Sequence, residues 1–577
     1  MKTNKILNII LVGALSLAAC SCGEFLNRPN IDNYNTSNFY QNDEQCLQGV
    51  NYIYNSPWYD FQRAFIKIGE VMSGNMYWGN SPYLTFTTNS TDEDLVNMSY
   101  SLWAVNGHCN AVIRNILASE GPSQAIKDQT VGEALTLKAL AYFFLVRSFG
   151  EVPIVHDNTE LLNSDYNGIF KESKENIYEY IIYTLETALG KLPKKTGGWN
   201  NRIDYYAAEA LLAKVYLTRA GVSGSLNTED LQKAANYAED VILHSGRSLT
   251  PTFSDVFRLA PSVYNQTGEP LISWMWTCEG SQWTRQNTLQ SDLFGEGFSE
   301  TGDLWGGWGG PSYDLMLAFG ADPLNSPESR KNEKDSRRKA TCMMVGDKYE
   351  YFWTDKGGFD FLRYLYDETY ANCPTDKQFQ GPCGAQNVKH LYGDSYDHES
   401  ALGHKPDRMA YTLPTHILRL SDLYLVYAEA KLLTDDATTA LTYVNKVRER
   451  AGVDPLESVT FEDIWNERRL ELAGEGDRWY DFVRVSYYNY NFVKAQLEGQ
   501  KRNQVYSYGE AASQYYESGT WAPDPSVTYY NSDSQGPKIT PEIFYLPISQ
   551  EDVVNNPNLL KPAEPCENVR ETYKYNF

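Results

Sequence analysis

The sequence lacks the features of a membrane-spanning, nucleic-acid-binding or metal-dependent protein. After residue 19, no apolar run approaches the roughly 20 residues that a membrane helix needs. Lys and Arg number 50 against 74 Asp and Glu, and this net charge of −24 repels phosphate backbones. No two of the nine cysteines form a CxxC pair, and GxSxG, HExxH and Walker motifs are missing. We predict no catalysis, no cofactor and no nucleic-acid partner. Scattered aspartates leave open the binding of a calcium ion at the surface.

Aromatic residues are abundant: they make up 14% of the chain, with 43 Tyr and 13 Trp. Tyr and Trp combine a flat apolar face with a hydrogen-bonding edge, which suits a surface that binds a hydrated ligand. The alternative is that most of them pack a large helical core, because large apolar side chains are usually buried. At 577 residues the chain is long enough for such a core and for more than one domain.

Residues 1–19 have the layout of a secretory signal. Lys2 and Lys5 precede a short apolar stretch, and the segment Leu17-Ala18-Ala19-Cys20 resembles the lipobox of bacterial lipoproteins. This resemblance predicts cleavage before Cys20, lipid attachment to its sulfur and firm anchoring by several acyl chains. Cys22 is the alternative attachment residue, although the residues before it make a poorer lipobox.

Helical periodicity dominates the rest of the chain. It predicts helices over residues 101–118, 128–150, 173–193, 204–221, 231–245, 419–433 and 437–452. Two pairs among them have the size and small-residue pattern of tetratricopeptide units of about 34 residues. The pattern fades between about 250 and 410 and again over 485–540, and long loops of this kind are usually functional. We therefore predict a mainly α, tetratricopeptide-like helical-repeat scaffold with long loop-rich insertions.

Five stretches, in order along the chain, resemble the SusD/RagB family of outer-membrane nutrient-binding lipoproteins. They are residues 22–26 (CGEFL), 132–155, the pair 417–430 and 440–453, 464–484 (IWNERRLELAGEGDRWYDFVR) and 543–560. The resemblance implies a SusD-like fold with four tetratricopeptide-like units. It also implies a lipid anchor in the outer membrane facing the cell exterior, and a partner in a SusC-like TonB-dependent transporter. The cargo would be an oligosaccharide or polysaccharide.

The predicted organisation has four parts. A lipoprotein signal peptide at 1–19 precedes a lipid anchor and extended arm at 20–60. An N-terminal helical region at 61–250 is followed by a C-terminal region at 251–577 that carries the ligand-binding insertions.

Two clusters of chemistry-bearing residues favour structural interpretations. The run Glu467–Arg484 interleaves acidic residues with arginines, so ion pairing explains it better than catalysis. Four of the seven histidines, His390, His398, His404 and His416, fit no metal template, and we predict a solvated polar loop around them. Cys373 and Cys383 bracket a short loop, and their pairing in an oxidising compartment remains open.

Tryptophans in glycine-rich or polar loops are the best binding candidates, because such rings can stack on the C–H face of a pyranose. Residues 75–80 form one cluster, and a second follows between residues 274 and 308; the resemblance implies that loops of these two regions build the ligand platform. The predicted glycan-binding residues are Asn75, Tyr77, Trp78, Trp283, Asp303, Trp305 and Trp308. The alternating Trp274 and Trp276 indicate a buried strand instead. A non-carbohydrate cargo such as a peptide, and a glycosidase with paired carboxylates, are the alternative functions.

Overall fold

The structure is a computed structural model. It describes residues 39–79, 81–162, 168–278, 286–299, 306–307, 309–322, 324, 334–371, 384–407, 411–502, 509–522 and 536–577. The leader, both candidate lipid-attachment cysteines Cys20 and Cys22, and the pair Cys373 and Cys383 lie outside these residues. Within the described ranges, no helix is long and apolar enough to cross a membrane.

In the described part of the chain, nine helices form the framework, and they pack mostly against their neighbours in sequence. They are α1 Glu93–Ala118, α2 Gln124–Phe149, α3 Lys174–Leu189, α4 Tyr205–Arg219, α5 Thr228–His244, α6 Leu420–Leu432, α7 Ala437–Ala451, α8 Phe461–Leu472 and α9 Arg478–Ser486. Helix α5 packs against both α4 and α6, so residues far apart in sequence continue the same helical series. The prediction of a mainly α, helical-repeat scaffold is confirmed.

Shorter elements fill the remainder. The strands are β1 Met76–Trp78, β2 Pro270–Trp274, β3 Gly309–Pro311, β4 Cys342–Met344, β5 Lys348–Tyr349, β6 Phe359–Asp360, β7 Ala385–Asn387 and β8 Thr415–Arg419. They pair antiparallel as β1–β3, β2–β8, β4–β7 and β5–β6. The short α-helices are Asp43–Asn51, Gln62–Ile66, Pro82–Thr85, Asn158–Leu162, Pro261–Thr267, Leu289–Leu293, Tyr313–Ala318, Ser336–Thr341, Phe361–Tyr366, Glu368–Ala371, Ser395–Leu402, Tyr490–Glu498, Gly509–Ser518, Gln550–Asn555 and Val569–Thr572. A π-helix covers Lys67–Met72, and 3-10 turns cover Tyr52–Tyr54, Ser56–Phe61, Phe253–Phe257, Thr354–Lys356, Pro541–Phe544 and Pro557–Leu560.

Helix α2 runs through the centre of the core. Every residue from Thr130 to Phe149 is buried, as expected for a helix that is largely apolar all round. It ends at Gly150, which has a φ of 73° and donates its N–H to the Val146 carbonyl at 3.0 Å. Glycine adopts this backbone conformation without strain, which explains why the predicted stop at residue 150 is confirmed.

The prediction of an extended arm up to residue 60 is wrong for residues 43–60. The Asn42 side chain caps the helix Asp43–Asn51 by accepting a hydrogen bond from the Gln45 N–H at 3.0 Å. Cys46 and Val50 on that helix are buried, and Trp58 in the next turn is fully buried. The segment folds back because its apolar side chains, although sparse among Asn and Tyr, complete the main core.

The main core takes residues from both regions predicted on either side of residue 250. A second aromatic core holds the loop-rich part together and includes Phe294, Phe298, Trp353, Phe359 and Tyr364. Five of the largest fully buried side chains are tryptophans. Much of the aromatic surplus therefore packs the interior, which is the alternative that the sequence left open.

The run Glu467–Arg484 is a buried ion network, and its predicted structural interpretation is confirmed. Glu471 is fully buried and contacts Arg419 Nη1 at 3.2 Å and Arg337 Nη1 at 3.4 Å, with Arg450 paired to the same carboxylate. Glu475 accepts hydrogen bonds from Arg419 Nε and Lys389 Nζ, both at 2.7 Å. Burial alone would raise the pKa of Glu471, but the arginines outweigh burial and hold that pKa well below its usual range.

The second half of the network joins α9 to α6 and α8. Asp481 accepts hydrogen bonds from Arg468 Nε at 3.0 Å and from Arg484 Nε at 2.9 Å. Arg484 Nη2 also donates to Glu429 at 2.7 Å. Arg468 Nη1 reaches Asp422 at 2.7 Å. The network thus fixes three helices that are separate in sequence, because each buried charge requires an opposite charge beside it.

We expect Gly69→Ala to destabilise the protein by about 1–3 kcal/mol, the usual cost of overpacking a core. A Cβ at position 69, in the π-helix, would overlap the backbone of Gly476, which cannot move away as a flexible side chain could. The matched control is Gly107→Ala inside α1, where a Cβ would lie 3.6 Å from the Asn158 side chain and helix propensity favours alanine. Urea denaturation of both variants measures the free energy of unfolding, and equal values would contradict the close approach.

Candidate functional site

The strand that ends at Trp78 pairs with the strand that directly follows the second tryptophan-bearing cluster of the sequence. Strand β1 pairs antiparallel with β3 in the register Met76↔Pro311, Tyr77↔Gly310 and Trp78↔Gly309. Gly309 directly follows Trp308 in the sequence. Two loops more than 200 residues apart therefore meet in one short ladder.

Trp78 is the predicted site residue whose position supports a binding role most clearly. Its side chain is partly exposed at the end of β1, and its ring covers the Cα of Gly309, where a Cβ would lie 2.7 Å from ring Cε3. The ring fits against β3 because position 309 has no side chain. Lys67 Nζ lies 5.4 Å from the ring centroid, a cation–π distance that helps to fix the indole.

A row of charged side chains, which no local sequence pattern predicts, begins at Lys67. Lys67 Nζ pairs with Asp94; Asp94 also lies 3.7 Å from Arg63 Nε, and Arg63 Nε lies 3.6 Å from Asp292. The Arg63 side chain is 48% exposed. Arginine donates hydrogen bonds to hydroxyl groups, and carboxylates accept them. This row of charged side chains is therefore a candidate polar border for the surface around Trp78.

Asn75 and Tyr77 do not lie at the surface. Asn75 is fully buried: its Nδ2 donates to Glu70 Oε2 at 3.0 Å and its Oδ1 accepts from Arg469 Nε at 2.8 Å. Tyr77 is only 3% exposed. The prediction that they bind glycan hydroxyls has to be corrected. The polar composition of their loop indicated exposure, but both side chains point inward and hold β1 in place.

Glu70 links the residue before β1 to the backbone of Gly476. Its Oε1 accepts the Gly476 N–H at 2.8 Å, and its Oε2 binds Asn75. Burial raises the pKa of Glu70, and the hydrogen bonds to its carboxylate oppose that rise. The loop that carries Trp78 is therefore tied to the segment 474–476, which sequence analysis did not connect with it.

Four predicted site residues, Trp283, Asp303, Trp305 and Trp308, lie outside the described residues. Gly306 and Gly307, which separate two of these tryptophans, are described and buried. A Cβ at Gly306 would overlap the backbone of Ser291 and Asp292, so this segment passes directly over the helix Leu289–Leu293. That helix also carries the Asp292 that faces Arg63.

Trp274 and Trp276 occupy the core, as predicted. Trp274 is fully buried at the end of β2 and stacks on Trp58 with ring centroids 5.1 Å apart. Trp276 donates its indole N–H to Thr415 Oγ1 at 2.9 Å.

The prediction of a solvated loop around the four histidines is wrong for three of them. His390, His398 and His416 are buried, and only His404 is exposed. His416 lies on β8 between Ser273 Oγ at 2.8 Å and the Val256 carbonyl at 2.9 Å. Burial lowers the pKa values of His390 and His416 to about 4. Tertiary contacts from distant segments cover these rings, so the polar local sequence was misleading.

Of the larger cavities lined by described residues, two include aromatic side chains in their lining. One of about 430 Å³ is mainly apolar and includes Trp103, Phe149 and Leu559 in its lining. The other, of about 490 Å³, is more polar and includes Arg258 and Tyr351. Trp78 lines neither of them, which is consistent with an open stacking surface rather than an enclosed pocket.

The fold and the site define a class of protein: a helical-repeat scaffold on which two loops distant in sequence pair beside a partly exposed tryptophan. The model of the SusD family matches residues 271–563, and a second family model, described as starch-binding and associating with the outer membrane, matches residues 24–217. The chain belongs to the SusD family, as its sequence motifs predict.

Relatives and solved structures agree with this assignment. A SusD-like protein of Bacteroides ovatus is 31% identical over 96% of this chain and 97% of its own length. A crystal structure with xylogluco-oligosaccharide is 27% identical, covering 91% of this chain and 99% of its own with a TM-score of 0.75. A SusD-like carbohydrate-binding protein of Bacteroides fragilis, 19% identical with a TM-score of 0.69 over 90% of this chain and 99% of its own, shares the fold.

Proposed function

We propose that this chain is a cell-surface glycan-binding lipoprotein. It captures oligosaccharides and delivers them to a SusC-like TonB-dependent transporter without chemistry of its own. The β1–β3 pairing carries this proposal, because it joins partly exposed Trp78 to the strand that directly follows Trp308. A related protein with 27% identity has a structure with xylogluco-oligosaccharide, which supports a glycan as the cargo.

The magnitude of stacking supports a site with several aromatic rings. One ring contributes about 1–2 kcal/mol by analogy with aromatic pairs and base stacking. Micromolar binding requires about −8 kcal/mol, so Trp78 alone is insufficient. Trp283, Trp305 and Trp308 are the proposed additional rings, and Asp303 with Arg63 are proposed partners for sugar hydroxyls.

Binding without chemistry is supported by the role of the carboxylates near Trp78. A glycosidase needs a pair of carboxyl groups that flank the scissile bond. Asp94 and Asp292 instead both face Arg63, and Asp94 also pairs with Lys67. The alternatives of a peptide or glycoprotein cargo, and of glycoside hydrolysis, are distinguishable outcomes of one experiment.

That experiment is affinity electrophoresis of the purified protein in gels that contain different polysaccharides, with product analysis of the same mixtures. We expect retardation by at least one glycan and unchanged chain lengths of that glycan. Released oligosaccharides would contradict the absence of catalysis. No retardation by any glycan, together with binding to peptide or glycoprotein fragments, would establish the alternative cargo.

The anchor and the partner need separate tests. Mass spectrometry of the acylated N-terminal peptide should find lipid on Cys20, and lipid on Cys22 would favour the alternative residue. Co-purification from detergent-solubilised outer membranes should recover a TonB-dependent transporter with the protein. The proposed function requires no cofactor.

We expect Gly309→Ala to weaken glycan binding by displacing the Trp78 ring. The new Cβ would lie 2.7 Å from ring Cε3, closer than a carbon–carbon contact allows, so the indole must move off β3. Gly107→Ala serves as the control. Binding of the Gly309→Ala variant at the wild-type affinity, measured by calorimetry, would show that the position of Trp78 on β3 is unimportant.

A further inference from the structure

Three potential metal ligands meet at a point that the predicted glycan site does not include. One ligand atom from each of Cys278, His398 and His404 lies within 4.8 Å of the other two. Cys278 follows β2, His398 belongs to the helix Ser395–Leu402, and His404 comes just after that helix. No local sequence pattern predicts this cluster, because 120 positions separate Cys278 from His398.

The hydrogen bonds of His398 fix its tautomer in the form that a metal ligand needs. Its Nδ1 donates to the His404 carbonyl at 2.8 Å, so the proton is on Nδ1. Its Nε2 accepts the Thr412 N–H at 3.1 Å and therefore carries the lone pair. Nε2 also lies 3.6 Å from Cys278 Sγ. Metal-binding histidines usually have this arrangement, in which the second ring nitrogen donates to a backbone carbonyl.

Thr412 provides a supporting contact to the sulfur. Its hydroxyl accepts the Cys278 N–H at 3.1 Å and lies 2.9 Å from Cys278 Sγ. Because the oxygen already accepts that N–H, its own proton can be directed at the sulfur. A hydrogen bond of this kind stabilises a thiolate, which is the form of cysteine that binds metals.

We propose that Cys278, His398 and His404 bind one zinc-class divalent cation. Thiolate and imidazole ligands select zinc over magnesium or calcium. Ligand bonds of about 2.0–2.3 Å in a tetrahedron place ligand atoms roughly 3.3–3.8 Å apart. The Cys278–His398 distance already falls in that range. His404 is exposed, so its ring can rotate to bring its nitrogen closer to the other two ligand atoms. Zinc must displace the Thr412 N–H from His398 Nε2, so that the lone pair of that nitrogen binds the metal.

A cation at this position would join Cys278, which follows β2, to His398 on the helix Ser395–Leu402 and to His404 just after that helix. Cys278 lies five positions before Trp283 in the sequence. The ion would therefore hold the start of the segment that carries a proposed ligand-binding ring. This role is structural, and it does not depend on the identity of the cargo.

Titration of the chelator-treated full-length protein with zinc chloride tests the proposal. We expect one equivalent to bind, and cobalt in its place to give the thiolate-to-cobalt charge-transfer absorption. Cys278→Ser should abolish that absorption, and His404→Ala should weaken zinc binding at least tenfold. His404 is exposed, so its variant is expected to fold even if the cysteine variant does not. His244→Ala, which changes an exposed histidine beside Asp240, is the control.

Absence of stoichiometric zinc binding would overturn the proposal. Binding that His404→Ala leaves unchanged, or that His244→Ala reduces equally, would overturn it as well. Because zinc binding is measured without any glycan, its failure is distinguishable from failure of the proposed function.

Discussion

Glu471→Gln is expected to lower the free energy of unfolding by about 3–5 kcal/mol, the cost of removing one partner from a buried ion pair. Glu471 is fully buried against Arg419, Arg337 and Arg450. Glutamine keeps the shape of the side chain but leaves those guanidinium groups with less negative charge than their burial requires. Urea denaturation followed by tryptophan fluorescence measures the change.

Glu229→Gln is the matched control. Glu229 pairs with Lys233 one helical turn away, but its side chain is 74% exposed, and exposed ion pairs contribute little. We expect its unfolding curve to coincide with that of the wild-type protein. Coincidence of the Glu471→Gln curve as well would show that the network does not stabilise the fold.

The pH dependence separates loss of charge from loss of packing at Glu471. Because its folded pKa is held below the usual range, its contribution to stability is complete above the unfolded value of about 4.3 and is lost as pH falls toward the folded pKa. The difference in unfolding free energy between wild type and Glu471→Gln should therefore shrink as pH falls below about 4. A difference independent of pH would indicate a packing defect.

Trp78→Ala is expected to weaken glycan binding by about 5- to 30-fold, which corresponds to the loss of 1–2 kcal/mol of ring stacking. Combining it with Trp283→Ala and Trp308→Ala should remove detectable binding. Tyr100→Ala is the control, because it removes an aromatic side chain that is 68% exposed on α1. Calorimetric titration with the glycan that retards the protein measures all four proteins. Unchanged affinity in the triple variant would place the binding site elsewhere.

Local sequence predicts the helical framework well. The helix predicted over 173–193 is α3, Lys174–Leu189. Ser173 caps it by accepting a hydrogen bond from the Asn176 N–H at 3.2 Å. Caps, terminal glycines and apolar periodicity act within a few residues, so a reader of the sequence can find them. The pairing of acidic residues with arginines in Glu467–Arg484 was predictable for the same reason, but the distant partners Arg337 and Arg419 were not.

Contacts between distant segments account for what the sequence did not reveal. Asn75 lies in a polar stretch, yet Arg469, nearly 400 positions later, covers it. The polar surroundings of His398 suggested solvent, whereas Thr412 and Cys278 enclose it. The β1–β3 register joins residues from two loops that are distant in sequence, and no local pattern specifies that pairing. Family resemblance pointed to both loops, but only the fold places them side by side.

The proposed function requires that a glycan stacks on Trp78 beside the β1–β3 ladder. A crystal structure of the protein with the oligosaccharide that it retains tests this most directly. We expect a sugar ring on the exposed face of Trp78, with its hydroxyl groups within hydrogen-bonding distance of Arg63. A sugar bound in the cavity lined by Arg258 and Tyr351, with Trp78 left uncovered, would contradict it.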